Sequence, residues 1–332
     1  LSVFFIVSGI LSFFNIIYSY YFNLYLNLNT YVYSLVISIF LGVLFYLFKN
    51  DKIKFTIYDK ILTILIGYLL IPLVFSIPFY LSIYNISFIN SYFEAISGFT
   101  STGFTVFENI KHIDQSLILW RSTSQWIGGL YFLSSIITLI DIFDSNFKKS
   151  LTNFISFNKS ETLKQISKIF ILYILLTICI FIILNIFDIR TFNSLNLAMT
   201  LISSGGFLPT NNLLSVLVND TQIIVFSILM LVSFFSIFLS YNLIFIKNRN
   251  VDFFYEDLNL LYYFLVLLLI FFFFLNTNND FVSLFFSLTS SVSNIGISLD
   301  NPPENLSFIF LILLIIGGSF FSTSSGIRFL KL

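Results

Sequence analysis

Chemically reactive side chains are scarce in this sequence. Its 332 residues include one cysteine and one histidine, and only 10% of them are Asp, Glu, Lys or Arg. The single cysteine, Cys179, excludes an intramolecular disulfide and a thiolate metal site. Enzymes need converging acids, bases or metal ligands, and no such set is visible here. A membrane-embedded enzyme is therefore the disfavoured alternative.

Apolar residues dominate instead. The chain is 58% hydrophobic and 20% aromatic, with a mean hydropathy of +0.96. This composition is typical of a polytopic membrane protein. A span needs about 20 apolar residues, and the first segment, which lacks a cleavage site, is interpreted as a span and not as a signal peptide. Eight segments qualify: 2–22, 31–48, 60–84, 116–143, 166–188, 222–246, 258–275 and 306–321.

Three further segments are too short to cross a bilayer: 88–107, 191–208 and 280–297. Each has a moderately apolar stretch of about ten residues followed by a cluster of Ser, Thr, Gly or Asn. Such a cluster between apolar runs is often an ordinary external turn. Because all three occur at the same place between successive spans, we predict re-entrant pore loops.

The distribution of basic residues predicts the orientation. Thirteen of the 16 Lys and Arg residues lie on the side that follows spans two, four, six and eight. Cytoplasmic loops carry the excess of Lys and Arg. Both termini are therefore predicted to be cytoplasmic, with the three re-entrant segments opening outward.

The loops are also periodic. Gly103, Gly206 and Gly296 are 103 and 90 residues apart, each in the order span, short helix, polar loop, span. Irregular backbone at membrane depth survives only when buried in protein or lining a water-filled path. Rings of backbone carbonyls can replace the hydration shell of a permeating cation, and glycine lets the backbone turn them inward. The repeat therefore indicates an ion pathway.

The motifs resemble the Trk/Ktr/HKT potassium-uptake superfamily, in particular its TrkH-type members. The first loop, FEAISGFTSTGF at 93–104, and the stretch WRSTSQWIGGL at 120–130 carry the most specific part of the likeness. The stretch AMTLISSGGF at 198–207 resembles the family's second filter. GGSFFSTSSGIR at 317–328 resembles the break in the helix after the third filter.

The resemblance implies an all-α fold of repeated helix–pore loop–helix units around one axis, with one filter strand per unit. It implies K⁺ transport through a carbonyl-lined filter, with an intramembrane gate beneath it; glycine at the last filter position goes with K⁺. The implied filter strands are Thr100, Ser101, Thr102, Gly103; Ser203, Ser204, Gly205, Gly206; and Ser293, Asn294, Ile295, Gly296. The implied K⁺ contacts are Thr100, Thr102, Gly103, Ser203, Gly206, Ser293 and Gly296, and the implied gate residues are Gly317, Gly318, Ser322, Thr323, Ser324, Ser325 and Gly326.

The same resemblance implies a setting for the protein. It predicts a multi-pass protein of the bacterial cytoplasmic membrane, a homodimer, and a cytosolic nucleotide-binding regulatory subunit of the TrkA type. K⁺ is the expected cargo, with neither an organic cofactor nor a nucleic-acid partner. Whether transport is channel-like or coupled to H⁺ or Na⁺ stays open.

The domain organisation follows from the repeats. We predict two N-terminal helices in 1–57, repeat 1 in 58–150 and repeat 2 in 151–250. Repeat 3 follows in 251–332 and includes a broken gate helix at 306–330.

The sequence departs from the family pattern in three respects. Family members carry four repeats, whereas three are found in these 332 residues, which leaves a truncated, non-conducting remnant as an alternative. The third filter contains Asn294 and Ile295 where relatives have a Thr-rich strand. Ser324 and Ser325 stand where the family tends to glycine, which predicts a stiffer gate.

Charged residues and a glycine pair in the first repeat have more than one interpretation. Glu94 lies in the first pore helix, where a charge is costly; it is expected either near the headgroups or paired with Arg121. Arg121 is interpreted as structural rather than as an interfacial anchor. Gly128 and Gly129 are interpreted as a site of close helix packing rather than of ion contact.

Overall fold

The computed structural model describes residues 1–48, 56–139, 162–235, 237, 254–275, 280–299, 307–319 and 321–328. Helices make up nearly all regular structure there. They are α1 (Ser2–Tyr21), α2 (Leu28–Leu47), α3 (Ile57–Tyr80), α4 (Phe88–Phe99), α5 (Gln115–Thr138), α6 (Thr162–Ile186), α7 (Thr191–Ser203), α8 (Asp220–Phe234), α9 (Phe254–Leu275), α10 (Phe281–Ser293) and α11 (Ser307–Ile315). The predicted all-α fold is confirmed.

Four described helices are long and apolar enough to cross a membrane. They are α1, α2, α3 and the Ile166–Ile186 part of α6. Each agrees with a predicted span to within a few residues. The short helices α4, α7 and α10, of 12, 13 and 13 residues, begin within three residues of the predicted re-entrant segments. This is a polytopic helical membrane protein.

The chain forms two compact units, of which the first is Leu1–Tyr131. In it, α1 packs along α2, while α3 packs against α2 and α4. Hydroxyl pairs join α1 to α2, with Oγ–Oγ distances of 3.2 Å for Ser8–Ser38 and for Ser12–Ser34. Small polar side chains let membrane helices approach closely and hydrogen-bond across the interface.

The second unit is Phe132–Leu332. In it, α7 packs on α6 and α8, and α10 packs on α8, α9 and α11. The short helix α10 is thereby surrounded by apolar helices, as a re-entrant helix must be. Its buried apolar cluster consists of Phe234, Leu267, Phe271, Leu284, Leu288, Val292 and Leu313.

Two predicted spans end earlier as helices than their hydropathy indicated. In the segment 222–246, α8 ends at Phe234, Phe235 has extended backbone with ψ of 153°, and Ile237 is helical again; residues 238–246 lie outside the described part. The segment 306–321 is helical only to Ile315. The next two residues, Ile316–Gly317 (β1), pair in parallel with Ile327–Arg328 (β2). Hydropathy reports burial in an apolar medium and carries no signal for these tertiary contacts.

Candidate functional site: three pore loops and a gate segment

The three short helices end in the same way. The residue after the last turn is left-handed in each case, with φ of 55° at Ser101, 53° at Ser204 and 57° at Asn294. Its backbone N–H donates to the carbonyl three residues earlier, at 2.9, 3.3 and 3.3 Å respectively. A left-handed residue at this position stops a helix and turns the chain sharply. Each loop therefore starts with a reversal at a helix C-terminus.

The predicted filter glycines lie two residues after these reversals. Gly103 has φ of 83° and Gly296 has φ of 71°, which L-residues rarely adopt. A Cβ atom added to Gly296 would meet no atom within 4 Å. At Gly296 it is therefore the backbone conformation, and not lack of space, that requires glycine. Gly206 holds the corresponding position in the second loop but is not left-handed.

The first loop exposes its hydroxyl groups. The Oγ1 atoms of Thr100 and Thr102 are 2.7 Å apart, and that of Thr100 also donates to the carbonyl of Ile96 at 2.8 Å. Both residues are exposed, whereas Ser101 and Gly103 are half-buried. This arrangement leaves hydroxyl oxygens on the open side of the loop.

The second and third loops are tied to each other. The hydroxyl of Ser204 donates to the carbonyl of Ser293 at 2.7 Å. The hydroxyls of Ser203 and Ser293 are buried and donate into their own helices, to the carbonyls of Met199 and Ser290, at 2.8 and 3.3 Å. The ends of α7 and α10 therefore meet within the second unit.

The second and third loops differ in how their residues are bonded and exposed. Gly205 donates its N–H to the carbonyl of Thr200 at 2.9 Å. The side chain of Ile295 is 4% exposed, while the neighbouring Gly296 is exposed. In the third loop, the apolar side chain of Ile295 thus packs into protein, whereas the backbone of Gly296 is exposed.

Helix ends give the loops a favourable field for cations. The last carbonyls of an α-helix lack intrahelical partners and carry a partial negative charge. Helices α4, α7 and α10 each present this end to the loop that follows. A cation at any of these loops is therefore stabilised by the helix that precedes it.

The predicted gate residues, between Gly317 and Gly326, lie in a loop closed by β1 and β2, called here the gate segment (residues 316–328). The β1–β2 pair holds its two ends together. Gly326 has φ of 91°, and a Cβ atom on Gly317 would overlap the carbonyl of Ser325. Inside the loop, Ser322 donates its hydroxyl to the carbonyl of Ser319 at 2.8 Å. Glycine is needed here for close backbone approach.

Ser324 reinforces this loop. Its buried hydroxyl accepts the N–H of Gly318 at 2.7 Å, and the Oγ atoms of Ser322 and Ser324 are 3.5 Å apart. Glycine in place of Ser324 would have no hydroxyl and would therefore lack both contacts.

The gate segment is hydrogen-bonded to the pore-loop elements around it. The hydroxyl of Thr323 donates to the carbonyl of Ile202, in the last turn of α7, at 2.9 Å. The side-chain amide of Asn294, in the third filter, donates to the carbonyl of Ser325 at 3.1 Å. The segment thus contacts the second pore helix and the third filter strand directly.

Glu94 pairs with Arg121, which decides between its two sequence interpretations. The Arg121 Nε atom is 2.7 Å from Glu94 Oε1, and both side chains are almost fully buried. The hydroxyl of Thr105 lies 3.0 Å from each carboxylate oxygen, and the N–H of Val106 donates to Oε2 at 2.9 Å. The adjacent Trp120 is buried as well. Arg121 is structural, as predicted, and is not an interfacial anchor.

Gly128 lies where α5 crosses the end of the first pore helix. A Cβ atom there would overlap the carbonyl oxygen of Phe99. This close approach supports the packing interpretation of Gly128.

Sequence reasoning missed one recurring set of residues, Ser97, Thr200 and Ser290 in the last turns of the pore helices. They are spaced by 103 and 90 residues, as the filter glycines are. That shared spacing could have revealed them. Thr105, which bridges the ion pair, gave no comparable signal.

Comparisons with known proteins agree with this geometry, although no family model matches the chain. An uncharacterized cation transporter of Methanocaldococcus jannaschii is 26% identical over 93% of this chain and 65% of its own length. The Trk system potassium uptake protein TrkH of Salmonella typhimurium is 20% identical over 75% of this chain and 55% of its own length. The chain thus spans less than two thirds of these relatives.

The fold has a close counterpart among solved structures. The crystal structure of the potassium transporter TrkH from Vibrio parahaemolyticus matches with a TM-score of 0.78 and 18% identity, covering 99% of this chain and 73% of that one. The fold and the three loops define a membrane protein of helix–pore loop–helix units. More particularly, the sequence is similar to that of a cation transporter and of Trk potassium uptake proteins, and the fold is that of TrkH.

Proposed function

We propose that the chain is the ion-conducting part of a potassium-uptake protein. The observation that supports this most directly is the recurrence of one loop geometry at the ends of α4, α7 and α10, with a filter glycine two residues after each reversal. The relatives are named as a cation transporter and as potassium uptake proteins. K⁺ would be the cargo, moving inward.

In this proposal the three filter strands contribute backbone carbonyls to the pathway. The strands are Thr100–Gly103, Ser203–Gly206 and Ser293–Gly296. Hydroxyl oxygens of Thr100 and Thr102 add to them, because these side chains are exposed on the loop. Ser203 and Ser293 would contribute through oxygen lone pairs, since their hydroxyl protons are directed into their helices.

The segment 316–328 would act as the gate. It is a compact loop built from glycine and serine, and its hydrogen bonds run to α7, to the end of α8 and to the third filter strand. A loop of this kind can move as a unit if those few bonds break.

The setting is part of the proposal. We place the protein in the bacterial cytoplasmic membrane with cytoplasmic termini, as a homodimer that docks a TrkA-like nucleotide-binding subunit. The excess of Lys and Arg on one side of the spans supports the orientation. The dimer and the regulatory subunit rest on the resemblance to the family.

Uptake of Rb⁺ tests the function. The full reading frame that encodes this chain is expressed in a bacterium without its own K⁺ uptake systems, at limiting external K⁺. We expect restored growth and saturable Rb⁺ entry. Gly103→Ser should shift the preference from K⁺ toward Na⁺, because glycine at this position goes with K⁺ in the family.

Two outcomes would contradict the proposal. An unchanged K⁺/Na⁺ ratio in Gly103→Ser overturns the role of that position. Absence of Rb⁺ entry despite stable membrane insertion, also with the regulatory subunit co-expressed, supports the alternative of a non-conducting remnant.

A further inference from the structure

Each pore helix carries a buried hydroxyl that reaches forward across its own filter loop. Ser97, Thr200 and Ser290 occupy equivalent positions in the last turns of α4, α7 and α10, and they are 4%, 0% and 4% exposed. Each hydroxyl donates to the backbone carbonyl seven residues later. The pairs are Ser97–Phe104 at 2.5 Å, Thr200–Phe207 at 2.8 Å and Ser290–Ile297 at 2.6 Å.

This bond differs from the usual behaviour of hydroxyls in helices. Ser and Thr within a helix commonly donate backward, to the carbonyl three or four residues earlier. The neighbouring Ser291 does so, with a 2.8 Å bond to the carbonyl of Ser287. The Thr200 hydroxyl also has the carbonyl of Asn196 within 3.1 Å, but its forward contact is the shorter one at 2.8 Å. The forward bond recurs in three loops that share little other sequence. Local capping does not account for that recurrence.

The acceptor is always the residue that follows the filter glycine. Phe104, Phe207 and Ile297 come directly after Gly103, Gly206 and Gly296. Since each of these carbonyls accepts a hydrogen bond from its own pore helix, it is turned back toward that helix. The carbonyl of the glycine is then the last one in the strand before this anchored carbonyl.

The same pore-helix residue also accepts a backbone hydrogen bond from the loop. In the first loop the carbonyl of Ser97 accepts the N–H of Thr102 at 2.9 Å, and in the second the carbonyl of Thr200 accepts the N–H of Gly205 at 2.9 Å. In these two loops, one residue of the pore helix thus holds the strand before the glycine through its carbonyl and after the glycine through its hydroxyl.

We propose that Ser97, Thr200 and Ser290 are positioning residues that fix the outer end of each filter strand and thereby set the preference for K⁺ over Na⁺. This inference rests on the proposed transport function. These residues do not contact the ion. A strand held on both sides of its glycine keeps its carbonyls at the spacing of the larger cation, whereas a released strand can close around the smaller one.

Substitution of the hydroxyls tests the proposal. Ser97→Ala, Thr200→Val and Ser290→Ala remove the donor, whereas Ser97→Thr, Thr200→Ser and Ser290→Thr retain it. Full-length protein is reconstituted in liposomes, and Na⁺ inhibition of Rb⁺ uptake gives the K⁺/Na⁺ preference per folded protein. We expect each donor loss to lower the preference about twofold to tenfold, the factor of one net hydrogen bond. The conservative variants should retain it.

Ser291→Ala is the matched control, because it removes a buried hydroxyl of the same helix whose bond stays within the helix. Its preference should equal that of the unsubstituted protein. Should a donor-loss variant fail to fold, Ser97→Cys and Ser290→Cys keep the size with a weaker donor, and we expect an intermediate preference.

The outcomes separate the two proposals. If the unsubstituted protein takes up no Rb⁺, the proposed function fails before any variant is compared. If it transports and the donor-loss variants reduce uptake without changing the K⁺/Na⁺ preference, the hydroxyls are merely structural and the positioning role is overturned.

Discussion

At the scale of single residues, the most unusual feature is a buried ion pair beside the first filter. Glu94 and Arg121 are both almost fully buried, and Thr105 and Val106 complete the contacts of the carboxylate. A buried pair is retained only with good geometry and further hydrogen bonds. This pair joins the first pore helix, the strand beyond its filter and α5.

The pair is specific to the first repeat. The positions 103 and 193 residues after Glu94 are Leu197 and Ser287. Neither can form an ion pair, so the second and third loops are held by other contacts, among them the Ser204–Ser293 bond. The first loop therefore depends most on charge.

Removal of one partner of the pair should be strongly destabilising. We expect Glu94→Gln to lower the stability of the protein by about 3–5 kcal/mol, because it leaves a buried guanidinium without a counter-charge. The double variant Glu94→Gln/Arg121→Gln should lose less than the sum of the single losses. Thermal unfolding in detergent measures the loss of stability in each variant.

Glu108→Gln serves as the control for charge removal, since Glu108 is exposed and in the same loop region. The unfolding temperature of Glu108→Gln should differ little from that of the unsubstituted protein. Strict additivity of the two single substitutions would contradict a coupled pair.

Gly128 is the second residue whose type is dictated by a contact. Gly128→Ala should reduce both stability and Rb⁺ uptake, because its Cβ atom would overlap the carbonyl oxygen of Phe99, which is backbone and cannot rotate away. Gly9→Ala is the matched control, since its Cβ atom would lie 3.2 Å from the flexible Ile39 side chain. Equal effects of the two on the unfolding temperature would refute this explanation.

At the scale of elements, the gate segment and α8 determine each other's shape. The carbonyls of Ser233 and Phe234 at the end of α8 accept the N–H groups of Ser324 and Ser319, at 3.2 and 2.9 Å. The N–H of Ile237 donates to the carbonyl of Phe321 at 3.0 Å. Helix ends need partners for their last carbonyls. The gate segment supplies them, so α8 can stop inside an apolar stretch.

Release of the gate segment from α7 should favour opening. Thr323→Val removes the hydroxyl that donates to the carbonyl of Ile202 while keeping the side-chain volume. One net hydrogen bond shifts an equilibrium about twofold to tenfold, so the initial rate of Rb⁺ uptake should rise by up to that factor. Thr323→Ser, which retains the donor, should behave as the unsubstituted protein. A lower rate in Thr323→Val at equal protein level would contradict a restraining role.

At the scale of the whole molecule, the proposed filter makes stability depend on the cation. A ligand that binds only the folded state stabilises it by about 2.7 kcal/mol at a concentration of 100 times its dissociation constant. We therefore expect the purified protein to unfold at a higher temperature in KCl than in NaCl or choline chloride of equal ionic strength.

The variant Gly103→Ser provides the control for this measurement. Its unfolding temperature should distinguish K⁺ from Na⁺ less than that of the unsubstituted protein. Identical unfolding temperatures of the unsubstituted protein in all three salts would argue against a K⁺ site formed by these loops.

The sequence by itself determined the membrane class, the short helices and the positions of the loops. Span length and re-entrant length are counts of apolar residues, and Gly103 and Gly296 are required by their own backbone conformation. These are local properties, which the order of residues expresses directly.

Only the tertiary structure decided where α8 ends, which partner Glu94 takes and where the hydroxyls of Ser97, Thr200 and Ser290 are directed. The end of α8 depends on a segment about 90 residues later, and the partner of Glu94 lies 27 residues away. The hydroxyls meet their acceptors only because the chain reverses at a left-handed residue. The ion pair and the end of α8 depend on how distant segments meet in space, and no local pattern of residues encodes that.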